Sequence, residues 1–365
     1  MKAKSQNVSD KAVEQSVKNI TWDLSELYKS ADDKKIKTDI AAGIKAAEEF
    51  QKKYSGKMNK ITKPADFAKM FAEYERCLEI VNKFMQFAFL NLSLDTSCAK
   101  AKSLMSFAEE KCADLENKLL FFRLELCEIS EPAIKKLKAS KELANYSHQI
   151  DVIRAFKPYQ LSEKEEQVIN IKNLNAKNYV VQLYDEFTAS FRFKVKMPDG
   201  KITEMNGSQL RNLRYHQSPE LRKQSAELYF EKYRENLLVL TGLYNMIVRD
   251  HAQENKLRGY KRADEPRNVS NEIDNKVIDA LVEVTTKNSG LVHRYYKLKA
   301  KMLKVKKLNL CDIYAPTASQ TQKFDWNEAK EIVLESFEKV GRDFMERRVE
   351  IFKAFEHDFF CFVPV

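Results

Sequence analysis

A chain of 365 residues with 44% hydrophobic and 32% charged side chains is long enough to bury a sizeable core and too apolar to stay disordered. Its 8 glycines and 8 prolines leave few tight turns, which excludes an architecture of many short strands and favours long helices. The net charge of +10 is scattered through short runs such as Lys34-Lys35, Lys52-Lys53 and Lys306-Lys307, interleaved with acids, rather than gathered into the basic stripe of a nucleic-acid binder.

Residues 1–19 are polar and read as a flexible N-terminus, and Met1 to Asp10 contain no apolar core of the kind a secretion signal needs. No apolar run approaches the roughly 18 residues that span a bilayer. The cysteines at 77, 98, 112, 127, 311 and 361 form no Cys-x-x-Cys pair, and the first four fall in helical patterns. They read as reduced, buried thiols of a cytoplasmic protein, not as a disulfide framework or a zinc site.

Order is expected to begin at Ile20 to Tyr28. From 34 to 55, Ile36, Ile40, Ile44, Ala47, Phe50 and Tyr54 recur at three- and four-residue steps, so they share one helical face that Gly56 closes. Pro64 opens a second helix carrying Phe67, Met70, Phe71, Tyr74, Leu78, Val81, Met85, Ala88 and Leu92. After Asp95-Thr96-Ser97 a third stripe follows: Leu104, Ala108, Cys112, Leu115, Leu119, Phe122 and Leu126. Two long helices joined by so short a link pack as an antiparallel hairpin. Ser130-Glu131-Pro132 and Leu161-Ser162-Glu163-Lys164-Glu165 are further helix starts, the second with the pattern of a capping box.

The helical rhythm breaks once. Phe191-Arg192-Phe193-Lys194-Val195-Lys196 alternates apolar with basic residues, Pro198-Asp199-Gly200 follows, and Lys201 to Met205 completes a small β-hairpin near 191–205 with Gly200 at the turn. Beyond it, Ser218-Pro219-Glu220 opens a long helix to about 255. Two more are predicted over Asp274 to Asn288 and Leu291 to Leu303, and a helical pair around Gly341 runs from Trp326 to Phe355. The fold class is mainly α: long helices in hairpins or a bundle, with one β-hairpin.

Catalytic signals are scarce. His251 and Glu254 are three apart on a helix and share a face, but a third ligand is lacking, and neither His-Glu-x-x-His nor its inverse passes through any of the 5 histidines. His148, His216 and His293 stand alone and read as hydrogen-bonded or surface side chains. No glycine spacing makes a phosphate-binding loop, and no Gly-x-Ser-x-Gly elbow exists.

Several segments nevertheless follow one another in a recognisable order: Thr21-Trp22-Asp23-Leu24-Ser25-Glu26-Leu27-Tyr28, the run from Ala47 to Lys57, Leu161 to Glu166, Arg258-Gly259-Tyr260, Arg294-Tyr295-Tyr296-Lys297-Leu298-Lys299 and Asp312-Ile313-Tyr314-Ala315-Pro316. Over residues 20 to 355 they resemble oligoendopeptidase F, a bacterial zinc metallopeptidase of the thimet oligopeptidase superfamily. The resemblance implies a helical clamshell around a channel that admits short peptides. It also implies zinc held by a His-Glu-x-x-His helix and a later Glu, with the motif Glu as general base for a metal-bound water.

That helix would come after the last residue of this sequence. The family pattern stops after Ile351-Phe352-Lys353-Ala354-Phe355, and His357 to Val365 match nothing expected there. The expectation is therefore a clamshell truncated by a frameshift or early stop: a flexible 1–19, an N-terminal helical domain over 20–190, an incomplete peptidase portion over 191–355 without its zinc helix, and an aberrant tail over 356–365. No catalytic or metal-binding residue carries over, and the sequence leaves the substrate-binding residues unknown. The chain reads as an N-terminal fragment of a zinc endopeptidase, inactive alone, without cofactor of its own, not bound to nucleic acid or membrane, and prone to self-association through apolar faces left without partners. The alternative is a non-catalytic helical scaffold that binds peptides or a protein; a basic nucleic-acid binder ranks last.

Overall fold

The computed structural model of the protein describes residues 15–16, 24–96, 98–317 and 324–339. The Thr21-Trp22-Asp23 start of the first landmark, the second helix of the pair around Gly341 and the 356–365 tail with His357 and Cys361 lie outside the described residues. The fold is mainly α with one two-stranded sheet, as composition and periodicity predict.

The chain forms two compact units, both discontinuous in sequence. The larger takes Leu27–Phe193 and Leu228–Tyr295; the smaller takes Lys194–Glu227 with the described parts of Met1–Glu26 and Tyr296–Val365.

Three helices carry the core of the larger unit. The first, α1 (Lys34–Tyr54), starts where the Asp33 carboxylate accepts the Lys35 amide and ends at Ser55, with Gly56 just beyond at φ +72°. Next come α2 (Pro64–Leu94), with proline in its first turn, and α3 (Ala99–Glu128), joined by the short link that the sequence predicts. The predicted stripes face one another. Phe50 of α1, Tyr74 of α2 and Phe121 and Phe122 of α3 form one aromatic cluster, in which Tyr74 and Phe122 stack with ring centroids 4.0 Å apart. Gly43 lets α1 approach closely, since a Cβ there would lie 2.9 Å from Ile80 Cγ2 on α2. The Glu125 carboxylate of α3 accepts the Gly56 amide at 2.6 Å, so the turn that ends α1 is tied to the same core.

Around this bundle lie α4 (Glu131–Lys138), α5 (Ser147–Ala155) and α6 (Glu163–Asn173), the last opened by the predicted Ser162/Glu165 capping box. A single π turn over Leu174–Asn178 joins α6 to α7 (Tyr179–Ala189). The predicted hairpin is β1 (Phe193–Lys196) and β2 (Ile202–Met205). Phe193 and Val195 are buried, Lys194 and Lys196 exposed, and Gly200 stands at φ +83°. A short helix, α8 (Gly207–Asn212), follows.

The single helix predicted over 218–255 is instead two, α9 (Pro219–Glu235) and α10 (Leu237–Arg258). Asn236 separates them at φ −105°, ψ 16°, and its side-chain amide donates to the Lys232 carbonyl at 2.8 Å, taking the acceptor that the backbone ladder needs. The remaining helices are α11 (Glu265–Ser270), α12 (Asn275–Lys287), α13 (Ser289–Met302) and α14 (Trp326–Glu338), whose first turn is closed by an Asp325/Glu328 capping box. Several apolar side chains face solvent: Leu238 and Tyr244 on α10, Val277, Leu281 and Val284 at helical spacing on α12, and Ile332 and Val333 on α14. No helix among the described residues is long and apolar enough to cross a membrane.

Phe122 touches three other rings and is fully buried, so Phe122→Ala is expected to lower unfolding stability by about 3–5 kcal/mol, read from a urea titration followed by helical circular dichroism.

Candidate functional site

The polar centre of the larger unit is assembled from two helix ends. The capping box that starts α6 uses Ser162 and Glu165, which leaves the next residue, Glu166, to accept the Leu161 amide at 3.1 Å and turn inward. At the other end of the sequence segment, α10 finishes at Arg258 because Gly259 adopts φ +79° and the Tyr260 amide reaches back to the Asn255 carbonyl at 2.9 Å. Arg258 donates Nη1 and Nη2 to the two oxygens of Glu166 at 2.7 and 2.9 Å, and Nε to Glu254 at 2.8 Å. Tyr260 stacks on Tyr159 with ring centroids 3.9 Å apart, and the Tyr159 hydroxyl donates to Glu265. Two of the motifs singled out in the sequence, 161–166 and 258–260, therefore meet in space.

Electrostatics give this cluster its role. Burial pushes the Glu166 carboxyl upward, but the Arg258 hydrogen bonds and the Leu161 amide outweigh it and hold the group below the usual carboxylate range. Hydrogen bonds donated to Glu166 and Glu254 raise Arg258 above the ordinary guanidinium value, against its burial. Both groups stay charged near neutrality, so the pair orients and fixes chain segments instead of moving protons.

Beside it lies a cavity of about 490 Å³, walled by Tyr159, Glu166, Glu254, Arg258 and Tyr260 and floored by α3. His251 and Glu254 both line it, and each already has a protein partner. His251 Nε2 sits 2.7 Å from the Ala263 carbonyl oxygen, a contact in which the ring nitrogen carries the hydrogen, while Glu254 is held by Arg258. His148 contacts Glu272, His216 Nδ1 accepts the Ser218 amide at 2.9 Å, and His293 is exposed. Among the described residues no group of three His, Cys, Asp or Glu side chains is placed to hold a metal ion. The donors of the described residues thus do not fit a zinc ion.

The described cysteines are free, but only Cys77, Cys112 and Cys127 are buried; Cys98, just ahead of α3, and Cys311 are half-exposed, because both sit outside the helix interiors where the packing is closest. Burial pushes the Cys112 thiol up to about 12 and raises Cys77, Cys127 and Cys311 as well, which makes them poor nucleophiles.

The smaller unit has a counterpart to the Glu166–Arg258 pair. Arg222 donates to Asp312 Oδ1 at 2.9 Å and to the His216 and Gln217 carbonyls at 2.9 and 2.8 Å. Lys299, its charge disfavoured by burial and by Arg222, donates to the Ile313 carbonyl at 2.5 Å. This joins the 294–299 and 312–316 motifs. Sequence reasoning missed both ion pairs. The one available signal was the excess of carboxylates at the start of α6, where Glu163, Glu165 and Glu166 crowd a turn whose cap needs one.

The described architecture shares its fold with oligoendopeptidase-F from Enterococcus faecium, with a TM-score of 0.67 and 21% identity over 86% of this chain and 58% of that structure. Two family models match in order along the sequence, oligopeptidase F over residues 125–193 and peptidase family M3 over residues 212–346, and the chain belongs to this family of peptidases. Among curated relatives it is 25% identical to an oligoendopeptidase F homolog of Borreliella burgdorferi, covering 89% of this chain and 54% of the relative. It is 24% identical to oligopeptidase PepF of Bacillus subtilis, covering 89% of this chain and 48% of the relative. The chain spans about half the length of the curated relatives it matches.

Replacing Glu166 by Gln leaves the Arg258 charge without its full partner, and a loss of about 3 kcal/mol is expected at neutral pH. Because folding lowers the Glu166 value, the stabilisation is complete above the ordinary carboxylate value of about 4.3 and disappears as pH falls through the folded value. Urea titrations of the parent and Glu166→Gln chains should therefore diverge at pH 7 and converge in acid.

Proposed function

We propose that these residues form the N-terminal part of a cytoplasmic zinc peptidase of the oligopeptidase F kind, which hydrolyses short peptides, and that by themselves they hydrolyse none. What supports the assignment to that enzyme class is the ordered match of two peptidase models and the shared fold. What supports inactivity is ligand spacing. Holding one ion for amide hydrolysis takes two imidazoles on one helical face and a nearby carboxylate, whereas the histidines here stand at 148, 216, 251, 293 and 357. The zinc ligands would then be supplied by residues outside this sequence, and this chain would supply helical scaffold. The solvent-facing apolar side chains of α10, α12 and α14 support self-association of the chain when it is produced alone.

The test uses the purified 365-residue chain with added zinc and a quenched-fluorescent peptide. The expected result is no turnover above buffer and no stoichiometric zinc after dialysis. Turnover accompanied by one bound zinc per chain would overturn the reading. Sedimentation velocity should show larger species growing with concentration; a monomer at all concentrations would remove the self-association part.

A further inference from the structure

One dipeptide of the smaller unit carries chemistry that neither the helical pattern nor the peptidase reading uses. Asn206-Gly207, between β2 and α8, is the sole Asn-Gly in the chain. In such a pair the backbone nitrogen of the glycine can attack the carboxamide carbon of the asparagine. Glycine has no Cβ to shield that nitrogen or to restrict the backbone rotation the attack needs.

The structure sets the conditions for that reaction. Asn206 is exposed, so water and hydroxide reach it. Its carboxamide oxygen accepts the Gln209 amide at 2.9 Å, and the Gln209 side chain in turn accepts the Asn206 amide at 3.0 Å. This reciprocal cap holds Asn206 at φ −79°, ψ 175°. At that extended ψ the Gly207 nitrogen is turned away from the carboxamide carbon, and ring closure requires ψ to rotate and the side chain to leave Gln209. Reaction therefore waits on opening of the first turn of α8.

That turn is the weak end of the element. α8 spans only Gly207–Asn212, too short to be stable through its own hydrogen bonds, and Leu210 alone of its residues is buried. The anchored end is the other one, where the Leu210 carbonyl accepts the Ser225 hydroxyl of α9 at 2.6 Å. Local opening at Asn206 thus leaves the attachment to α9 in place.

We propose that Asn206 is a site of spontaneous deamidation whose rate is set by its capping box. The Gly207 nitrogen gives up its proton to hydroxide and bonds to Cγ of Asn206 as the Cγ–Nδ2 bond breaks; the leaving nitrogen takes a proton from water and departs as ammonia. The product is a succinimide. One water then cleaves it, at the bond to Cγ to give aspartate, or at the bond to the backbone carbonyl carbon to give isoaspartate. Aspartate caps a helix as well as asparagine does, so α8 closes again. Isoaspartate routes the backbone through Cβ and Cγ and cannot hold Gln209, so the cap is lost beside the Leu210–Ser225 contact.

The experiment incubates the full chain and a synthetic peptide of residues Ile202–Arg211 at neutral and alkaline pH. Conversion is followed by mass spectrometry of the tryptic peptide with the same ends, and aspartate and isoaspartate are separated by elution. Conversion in the chain is expected to be about fivefold slower than in the peptide, the factor that corresponds to a typical cap. It should be faster in alkali, yield both products, and run about twofold faster in Gln209→Ala, which loses one of the two reciprocal bonds. Asn206 unconverted in the chain when the peptide is exhausted would overturn the site, and aspartate as the only product would overturn the succinimide route. Equal rates in chain and peptide would overturn control by the cap, a comparison that holds even where the variant fails to fold.

Discussion

The guanidinium of Arg258 is the point on which the larger unit turns. A unit built from Leu27–Phe193 and Leu228–Tyr295 must hold together segments whose contacts are far apart in sequence, and the chain entropy of closing so long a loop opposes it. Apolar packing supplies most of the driving force but has little directional preference. The bidentate bond from Arg258 to Glu166 has a fixed geometry, joins the end of α10 to the start of α6, and is accompanied by Tyr260 stacked on Tyr159. Each partner would be destabilising if buried alone, so the register of the two helices is set by the need of each charge for the other.

The smaller unit repeats the device with Arg222 and Asp312, residues that also come from separate stretches of chain. In both units the charged residues sit beside helix caps: Glu166 next to the Ser162/Glu165 box, Asp312 within the box begun by Asn309. Cap geometry fixes the backbone, and the fixed backbone aims the carboxylate at its arginine. The chain thus presents two scaffolds whose conspicuous motifs serve assembly, and the cavity beside Arg258 inherits its shape from that assembly.

Much of this was legible in the residues. The stripes on α1, α2 and α3, the capping box at Ser162, the turn at Gly200 and the alternation of Phe193 and Val195 follow from periods of 3.6 and 2 and from the few residues that tolerate positive φ. The break at Asn236 was not legible, because an asparagine within an otherwise periodic run can stay in the helix or bond to the backbone, and only its amide contact with Lys232 shows which. Nor did the spacing of His251 and Glu254 reveal that Ala263 and Arg258 already occupy them.

By itself, the sequence determined the helical class, the positions of most helix ends, the family resemblance and the lack of a zinc-binding motif among its histidines, since each depends on neighbours within a few positions along the chain. The tertiary structure alone decided that residues 228–295 join 27–193 in one unit, that the motifs at 161–166 and 258–260 close on each other, and that Glu166, Glu254 and Arg258 face a common cavity. Those relations depend on which distant surfaces pack together, and a local pattern of residues says which face of a helix is buried but not against what.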